Sequence, residues 1–339
     1  MTATRESLLE ARRLMNGFRG YQSIVVACKL NLPDLVAAEP RTAETLAAIT
    51  GTHADSLRRL LRGLVAWRVF TEDSDGRFHA TEVSDHFRSD TPGLRNITVM
   101  LSTEGYVAWS EALEAVRTGR PVFEKVFGKS RWQQMADNPE DATAFNAAMV
   151  ETTKRVSGAF VKAFDFAGVS TVVDVGGGNG ALLAAVLKGH PETRGVLFDL
   201  PAGLAGAREK MREAGVEDRV EIVEGSFFES IPQGADLYML KSIVHDWDEP
   251  HALAILRTCR AAMTAPRARV VLLERTLSER IDDPDAELGL VMSDLHMMVV
   301  LGGRERTPTE YGELLARAGL RMTRHVPADP EFGAVEAVL

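Results

Sequence analysis

Asp174-Val-Gly-Gly-Gly-Asn-Gly180 sets an acid and four glycines between the apolar runs Thr171-Val-Val-Asp-Val175 and Ala181-Leu-Leu-Ala-Ala-Val-Leu187. That order reads as strand, tight loop, helix. Glycine lets a backbone turn sharply and approach a ligand closely, and a helix start presents unpaired N–H groups. The chemistry open to such a loop is to cradle a nucleotide-like cofactor. A plain glycine turn is the bland alternative, and so dense a motif disfavours it. Downstream, His245 lies in Leu240-Lys-Ser-Ile-Val-His-Asp-Trp-Asp-Glu-Pro250, with the carboxylates Glu274 and Glu305 further on. An imidazole titrating near pH 6.5 suits proton transfer at neutral pH, although a lone histidine after a strand is more often structural.

The loop fits two templates. Gly176-x-Gly178-x-x-Ala181, with Asp199 about twenty residues on, matches a dinucleotide fingerprint with its ribose-binding acid. Gly176-x-Gly178-x-Gly180 preceded by Asp174 also matches the loop of S-adenosylmethionine-dependent methyltransferases. A pyrophosphate favours a helix N-terminus, whereas a sulfonium cofactor carries a cation and an amino acid head. An acid within the motif suits the second better. The glycines alone do not choose.

These residues need elements to position them. From residue 171 the chain alternates apolar runs with helical patterns: candidate strands at 171–175, 195–199, 219–224, 235–240 and 268–274, with helices such as 202–214 and 250–263 between them. Alternation of this kind implies a parallel sheet with helices on both faces. Segments 321–326 and 333–339 are expected to add edge strands. In an open parallel sheet, ligands bind beyond the carboxyl ends of the strands. The Gly176 loop, Asp199, Ser226-Phe227, Lys241 to His245, and Glu274 each end a successive strand. Random placement would scatter them.

The first hundred residues read differently. Helical spacing covers residues 8–36, further helices start near Thr42 and His53, and residues 70–80 form a hairpin turning at Asp75-Gly76. Helix, turn, helix, hairpin is a winged-helix layout. Residues 95–165 are again helical, broken near Gly119-Arg-Pro121 and Asn138-Pro139.

With the His245-Asp-Trp-Asp248 motif the chain resembles the plant-type and bacterial small-molecule O-methyltransferases, which include caffeate and antibiotic-tailoring enzymes. Phe198-Asp-Leu-Pro201, Gly225-Ser-Phe-Phe228 and Gly302-Gly-Arg-Glu-Arg-Thr307 carry the same resemblance, over nearly the whole length. It implies an α/β fold: a Rossmann-like, doubly wound, mostly parallel sheet of the class I methyltransferase type. Residues 1–100 are then a helical winged-helix dimerisation domain and 101–339 the methyltransferase domain, with 101–165 a helical linker contributing to the substrate pocket.

By that resemblance His245 is the general base, with Glu274 and Glu305 beside it to fix its tautomer and stabilise the imidazolium. A phenol titrates near 10 and is a poor nucleophile until deprotonated. Asp174, Gly176, Gly178, Asp199, Ser226, Phe227 and Lys241 are the cofactor contacts. Asp199 is placed for a ribose diol, or equally for a helix cap before Pro201. Ser226 stands where the family usually has aspartate, so Phe227 is the better candidate against the adenine. Lys241 acts through its backbone or is a surface lysine. Phe145, Met149, Asp246 and Met297 are expected to line the acceptor site, with Met292 and Met298 near. Asp246 also suits a helix cap, Trp247 core or cofactor packing, and the methionines plain core.

Composition bounds the alternatives. The chain has 339 residues, 45% hydrophobic and 26% charged, with net charge −9. Such a balance argues against broad nucleic-acid or membrane-surface binding. No run of eighteen apolar residues occurs and the N-terminus lacks a signal-peptide core, so the expected location is cytoplasmic. Cys28 and Cys259 fit no metal spacing, and no metal is expected. A nicotinamide oxidoreductase would use the loop but leaves His245, Glu274 and Glu305 unexplained. A winged-helix DNA regulator would use Arg58, Arg59 and Arg62, yet residues 1–100 hold 13 Lys/Arg against 12 Asp/Glu. The reading is methyl transfer from S-adenosyl-L-methionine, leaving S-adenosyl-L-homocysteine, to a hydroxyl of a small aromatic molecule by a homodimer paired through its N-terminal domain.

Overall fold

The alternating apolar runs beyond residue 170 gather into one seven-stranded sheet. The structure is a computed structural model that describes residues 4–91 and 93–339. Two compact units divide the chain: Met1–Tyr106 with Met135–Glu151, and Val107–Gln134 with Thr152–Leu339. The helix Pro139–Ala163 crosses that division, so the stretch 101–165 is shared between the units.

In the first unit the helical run of residues 8–36 is three helices, Arg5–Met15, Gly17–Lys29 and Leu32–Ala38. Asn31 causes the second break by taking a left-handed φ of 56°, a conformation asparagine tolerates better than most residues. Thr42 caps the helix Ala43–Thr50 by accepting from the Thr45 amide, and the His53 side chain caps Ala54–Ala66. The short strands β1 (Arg41–Thr42), β2 (Phe70–Glu72) and β3 (Arg77–Ala80) form a sheet in the order β1-β3-β2. Leu46, Leu61, Leu64, Phe70 and Phe78 are its buried core, each apolar side chain stabilising by about 1.5–3 kcal/mol. Arg58 stands 3.8 Å from Glu44 and 3.9 Å from Glu72, so this helix presents no purely basic face. The first helix buries none of its residues and exposes Leu8, Leu9, Leu14 and Met15.

The second unit holds β4 (Thr171–Val175), β5 (Arg194–Asp199), β6 (Val220–Glu224), β7 (Leu237–Lys241), β8 (Arg269–Arg275), β9 (Arg321–Pro327) and β10 (Phe332–Val338). Their order is β6-β5-β4-β7-β8-β10-β9. The first five pair in parallel, and β10 alone runs against the rest, antiparallel to both of its neighbours, β8 and β9. Strand β10 is therefore not an edge strand, as its sequence position suggested, but lies buried between β8 and β9. Small apolar residues permit this, and its one buried acid, Glu336, accepts from Arg269 at 2.9 Å, Arg324 at 3.1 Å and Thr323 at 2.7 Å.

Period-two alternation sends Val173, Val175, Leu240 and Leu272 into one core layer, against the helices Glu249–Ala262 and Pro308–Arg317. Val172, Met239, Val271 and Leu273 enter the other, against Ala181–Gly189 and against Phe160. The chain runs from β4 outward to β6, then returns to β7 on the other side of β4. The switch between β4 and β7 is where such sheets bind ligands. Cys28 and Cys259 are buried thiols, pushed up to about 11 and about 12, in each case first by burial. Among the described residues no helix is long and apolar enough to cross a membrane.

Candidate active site

The loop after β4 is built to stay open and close-fitting. Gly176 and Gly178 take φ of +69° and +58°, which glycine alone adopts without strain. A Cβ on Gly177 would meet the Asp174 carboxylate at 2.7 Å and Leu197 at 2.5 Å. Asp199 ends β5 and reaches back to the loop: its Oδ2 accepts from the Gly178 amide at 2.8 Å and its Oδ1 from Leu200 at 2.7 Å. It thus fastens the loop and caps its own turn at once.

Asp174 is 1% exposed and its Oδ2 has no hydrogen-bond partner. Burial first, then the charge of Asp199, pushes its carboxyl up to about 7. A buried carboxylate oxygen without a donor is costly unless a ligand supplies one. Lys241, at the end of β7, is no surface lysine. Its Nζ lies over the Phe332 ring, 5.6 Å from the centroid, and burial followed by the charge of Arg275 lowers it to about 8.

Ser226 closes a turn, its Oγ accepting from the Phe228 amide at 3.3 Å. Phe227 lies 3.6 Å from where a Gly176 Cβ would be, so its ring borders the loop. Trp247 belongs to an aromatic group, with Phe228 4.7 Å away edge-on, Phe227 at 6.1 Å, and Trp132 stacked at 6.1 Å.

His245 sits in the short turn Val244–Asp246 after β7, 5% exposed. Its Nδ1 lies 2.9 Å from Glu305 Oε1, and its Nε2 3.3 Å from Asp246 Oδ1. Glu274 is 4.0 Å from the imidazole and does another job: its Oε1 accepts from the amides of Ile243 and Val244, at 3.0 and 2.8 Å. It holds the turn, while Glu305 holds the ring. Burial disfavours the imidazolium, but the charges of Glu305, Asp246 and Glu274 outweigh it and push His245 up to about 10. Glu305 is held below the usual carboxylate range despite its burial, by the charge and hydrogen bond of His245, with Arg275 and Ser293 adding to them.

The helix Pro284–His296 supplies what sequence reasoning missed. Ser293 Oγ donates to Glu305 Oε1 at 2.7 Å, and Asp294 Oδ1 accepts from the Glu305 amide at 2.9 Å. His296 accepts from Trp109 Nε1 at 3.2 Å. Burial, then Arg131 and Arg275, lower it to about 4, the opposite of His245. The sequence signals this helix through its start, Asp283-Pro284, and through Met292, Met297 and Met298 on and after it, none of which points to Ser293, Asp294 or His296. Met297 is buried in the π-helical turn Met297–Leu301 that follows, whereas Met292 is exposed. Phe145 and Met149 lie on the part of Pro139–Ala163 that belongs to the first unit.

An O-methyltransferase domain family matches residues 109–321, and an O-methyltransferase dimerisation domain matches residues 12–90. The chain belongs to the O-methyltransferase family. It is 41% identical to a phenazine O-methyltransferase of Lysobacter antibioticus, over 96% of this chain and 94% of that one. It is 39% identical to the O-demethylpuromycin O-methyltransferase of Streptomyces alboniger, over 96% and 87%. The crystal structure of an O-methyltransferase of neocarzinostatin biosynthesis superposes with a TM-score of 0.82 at 34% identity, covering 94% of this chain and 95% of that one. That crystal holds S-adenosylmethionine and 2-hydroxy-5-methyl naphthoic acid.

This O-methyltransferase is an S-adenosylmethionine-dependent enzyme, and its residues suit that cofactor. The glycine loop leaves no room for a Cβ at Gly177, and Asp174 Oδ2 is a buried acceptor awaiting a donor. An ammonium group, such as that of the cofactor's amino acid head, satisfies such a site. A pyrophosphate does not.

Proposed function

We propose that this O-methyltransferase methylates a hydroxyl of a small aromatic natural product, with His245 as general base. When bound, the cofactor supplies an electrophilic methyl on a sulfonium. The observation that carries the reading is the His245–Glu305 contact of 2.9 Å inside a buried turn. Glu305 accepts at Nδ1 and fixes the ring so that Nε2 is the nitrogen that takes a proton.

Carboxylates also make His245 a stronger base. A phenol and an imidazole that both titrate near 10 exchange a proton at little cost. The same carboxylates keep His245 protonated at neutral pH, so it must shed that proton before turnover. A second positive charge at the same sheet edge favours that loss. An amine acceptor, which attacks with its own lone pair, has less need of this machinery.

Asp174 would receive the cofactor's amino group, Gly176 and Gly178 its close approach, Asp199 its ribose, and Phe227 its adenine, with Ser226 and Lys241 bordering it. Asp246 and Met297 would line the acceptor site. Residues 1–100 would pair two copies through the exposed apolar residues of the first helix, Leu8, Leu9, Leu14 and Met15, leaving 101–339 as the catalytic portion.

His245→Ala should bind S-adenosylmethionine nearly as the parent does, by calorimetry, while losing most turnover of labelled methyl onto a panel of phenols. Parent-like turnover in that variant refutes the base. Sedimentation velocity tests the dimer.

A further inference from the structure

One oxygen of the site carries more than the base assignment requires. Glu305 Oε1 accepts from Ser293 Oγ at 2.7 Å and faces His245 Nδ1 at 2.9 Å, while Glu305 Oε2 is buried with no partner. A free carboxylate would turn to share its donors between both oxygens. This one is held in a single rotamer from two sides. The Glu305 amide is bound to Asp294 Oδ1 at 2.9 Å, and the hydroxyl of the preceding residue on that helix takes Oε1.

We propose that Ser293 is a positioning residue for methyl transfer, its hydroxyl fixing the Glu305 oxygen that engages His245. The inference rests on the reading of His245 as base. Ser293 lies on the helix Pro284–His296, whose continuation carries Met297, the proposed acceptor wall. The same helix therefore orients the base and borders the acceptor.

A donor to a carboxylate stabilises the deprotonated form of whatever unit that carboxylate belongs to. Without the hydroxyl, the Glu305–His245 pair holds its proton more tightly, and Glu305 is free to rotate. Around the pair stand Glu274 and Arg275 of β8, Asp246 of the same turn, and Asp294 of the helix, all unchanged by substitution at Ser293.

The test compares Ser293→Ala, Ser293→Thr and His245→Ala with the parent. Calorimetric binding of S-adenosylmethionine should be equal in all four, which certifies the fold. In Ser293→Ala, kcat should fall about tenfold, the scale of one hydrogen bond to a charged group. The acid limb of its kcat–pH profile should move up by about one pH unit. Ser293→Thr, which keeps the hydroxyl, should restore both. A lower kcat with an unmoved acid limb, or threonine no better than alanine, overturns the inference as a merely structural effect. Parent-like kcat in Ser293→Ala overturns it too. Turnover surviving in His245→Ala instead refutes the base assignment itself, whatever Ser293→Ala does.

Discussion

A Cβ added to Gly303 would lie 1.9 Å from the carbonyl oxygen of His245. The two backbones are that close because the Arg304 amide donates to the same carbonyl at 2.9 Å. This docking brings the loop of Glu305 onto the turn of His245. The glycine is required for space, not for an unusual φ.

Gly303→Ala should therefore push the Glu305 loop off the His245 turn. A displacement near 1 Å in a catalytic group costs about a hundredfold, so kcat should fall by that order. Steady-state kinetics beside calorimetry read it: cofactor affinity should change little, since the atoms Gly303 packs against are those of His245 and Asp246 rather than of the Gly176 loop. Parent-like kcat would show that the loop relaxes without cost.

Glu305→Gln keeps the shape of the side chain and removes its charge. Glu305 is the largest of the three charges that raise His245, so the imidazole should fall back from about 10 toward its ordinary range. The acid limb of kcat should move to lower pH, and kcat at its plateau should drop about a hundredfold with the lost stabilisation of the imidazolium. A profile that keeps its limb would assign the rise to Asp246 and Glu274.

His245 also links folding to pH. Its folded pKa of about 10 lies above the unfolded value near 6.5. The group's contribution is thus fully present below pH 6.5 and is lost as pH rises through 10. Urea unfolding of the parent should weaken across that window, while His245→Gln shows a flatter dependence. Parallel curves for the two proteins would refute the linkage.

Asp174 sets stability against binding. Its folded pKa of about 7 lies above its ordinary 3.8, so its contribution is lost as pH climbs through 7 and the buried charge becomes a cost above that. Asp174→Asn should raise Tm at pH 8 by a few degrees, and should weaken S-adenosylmethionine binding at least tenfold. A variant both stabilised and unimpaired in binding would remove Asp174 from the cofactor site.

Local rules made much of this chain readable. Strand β4 and the helix after it follow from an apolar run, a glycine cluster and a second apolar run, and Thr42 and Gly51 mark a helix start and stop by caps and a left-handed turn. The second unit's α/β order followed from periodicity, because a buried strand and an amphipathic helix each write their spacing into consecutive residues. What local rules missed involves partners far along the chain. Asp199 bonding Gly178 spans 21 residues and Glu274 bonding Val244 spans 30. His245 bonding Glu305 spans 60.

The glycine loop, the strand ends and the types of residue gathered at the sheet edge are thus written in short stretches of chain. Their division of labour comes from packing: Glu274 on the backbone of the turn, Glu305 on the imidazole, Ser293 behind Glu305, and β10 inside the sheet. Periodicity and turn chemistry act between neighbours in the chain, whereas hydrogen-bond partnership and charge coupling act through space and exist only once β7, β8 and the helix Pro284–His296 are packed together.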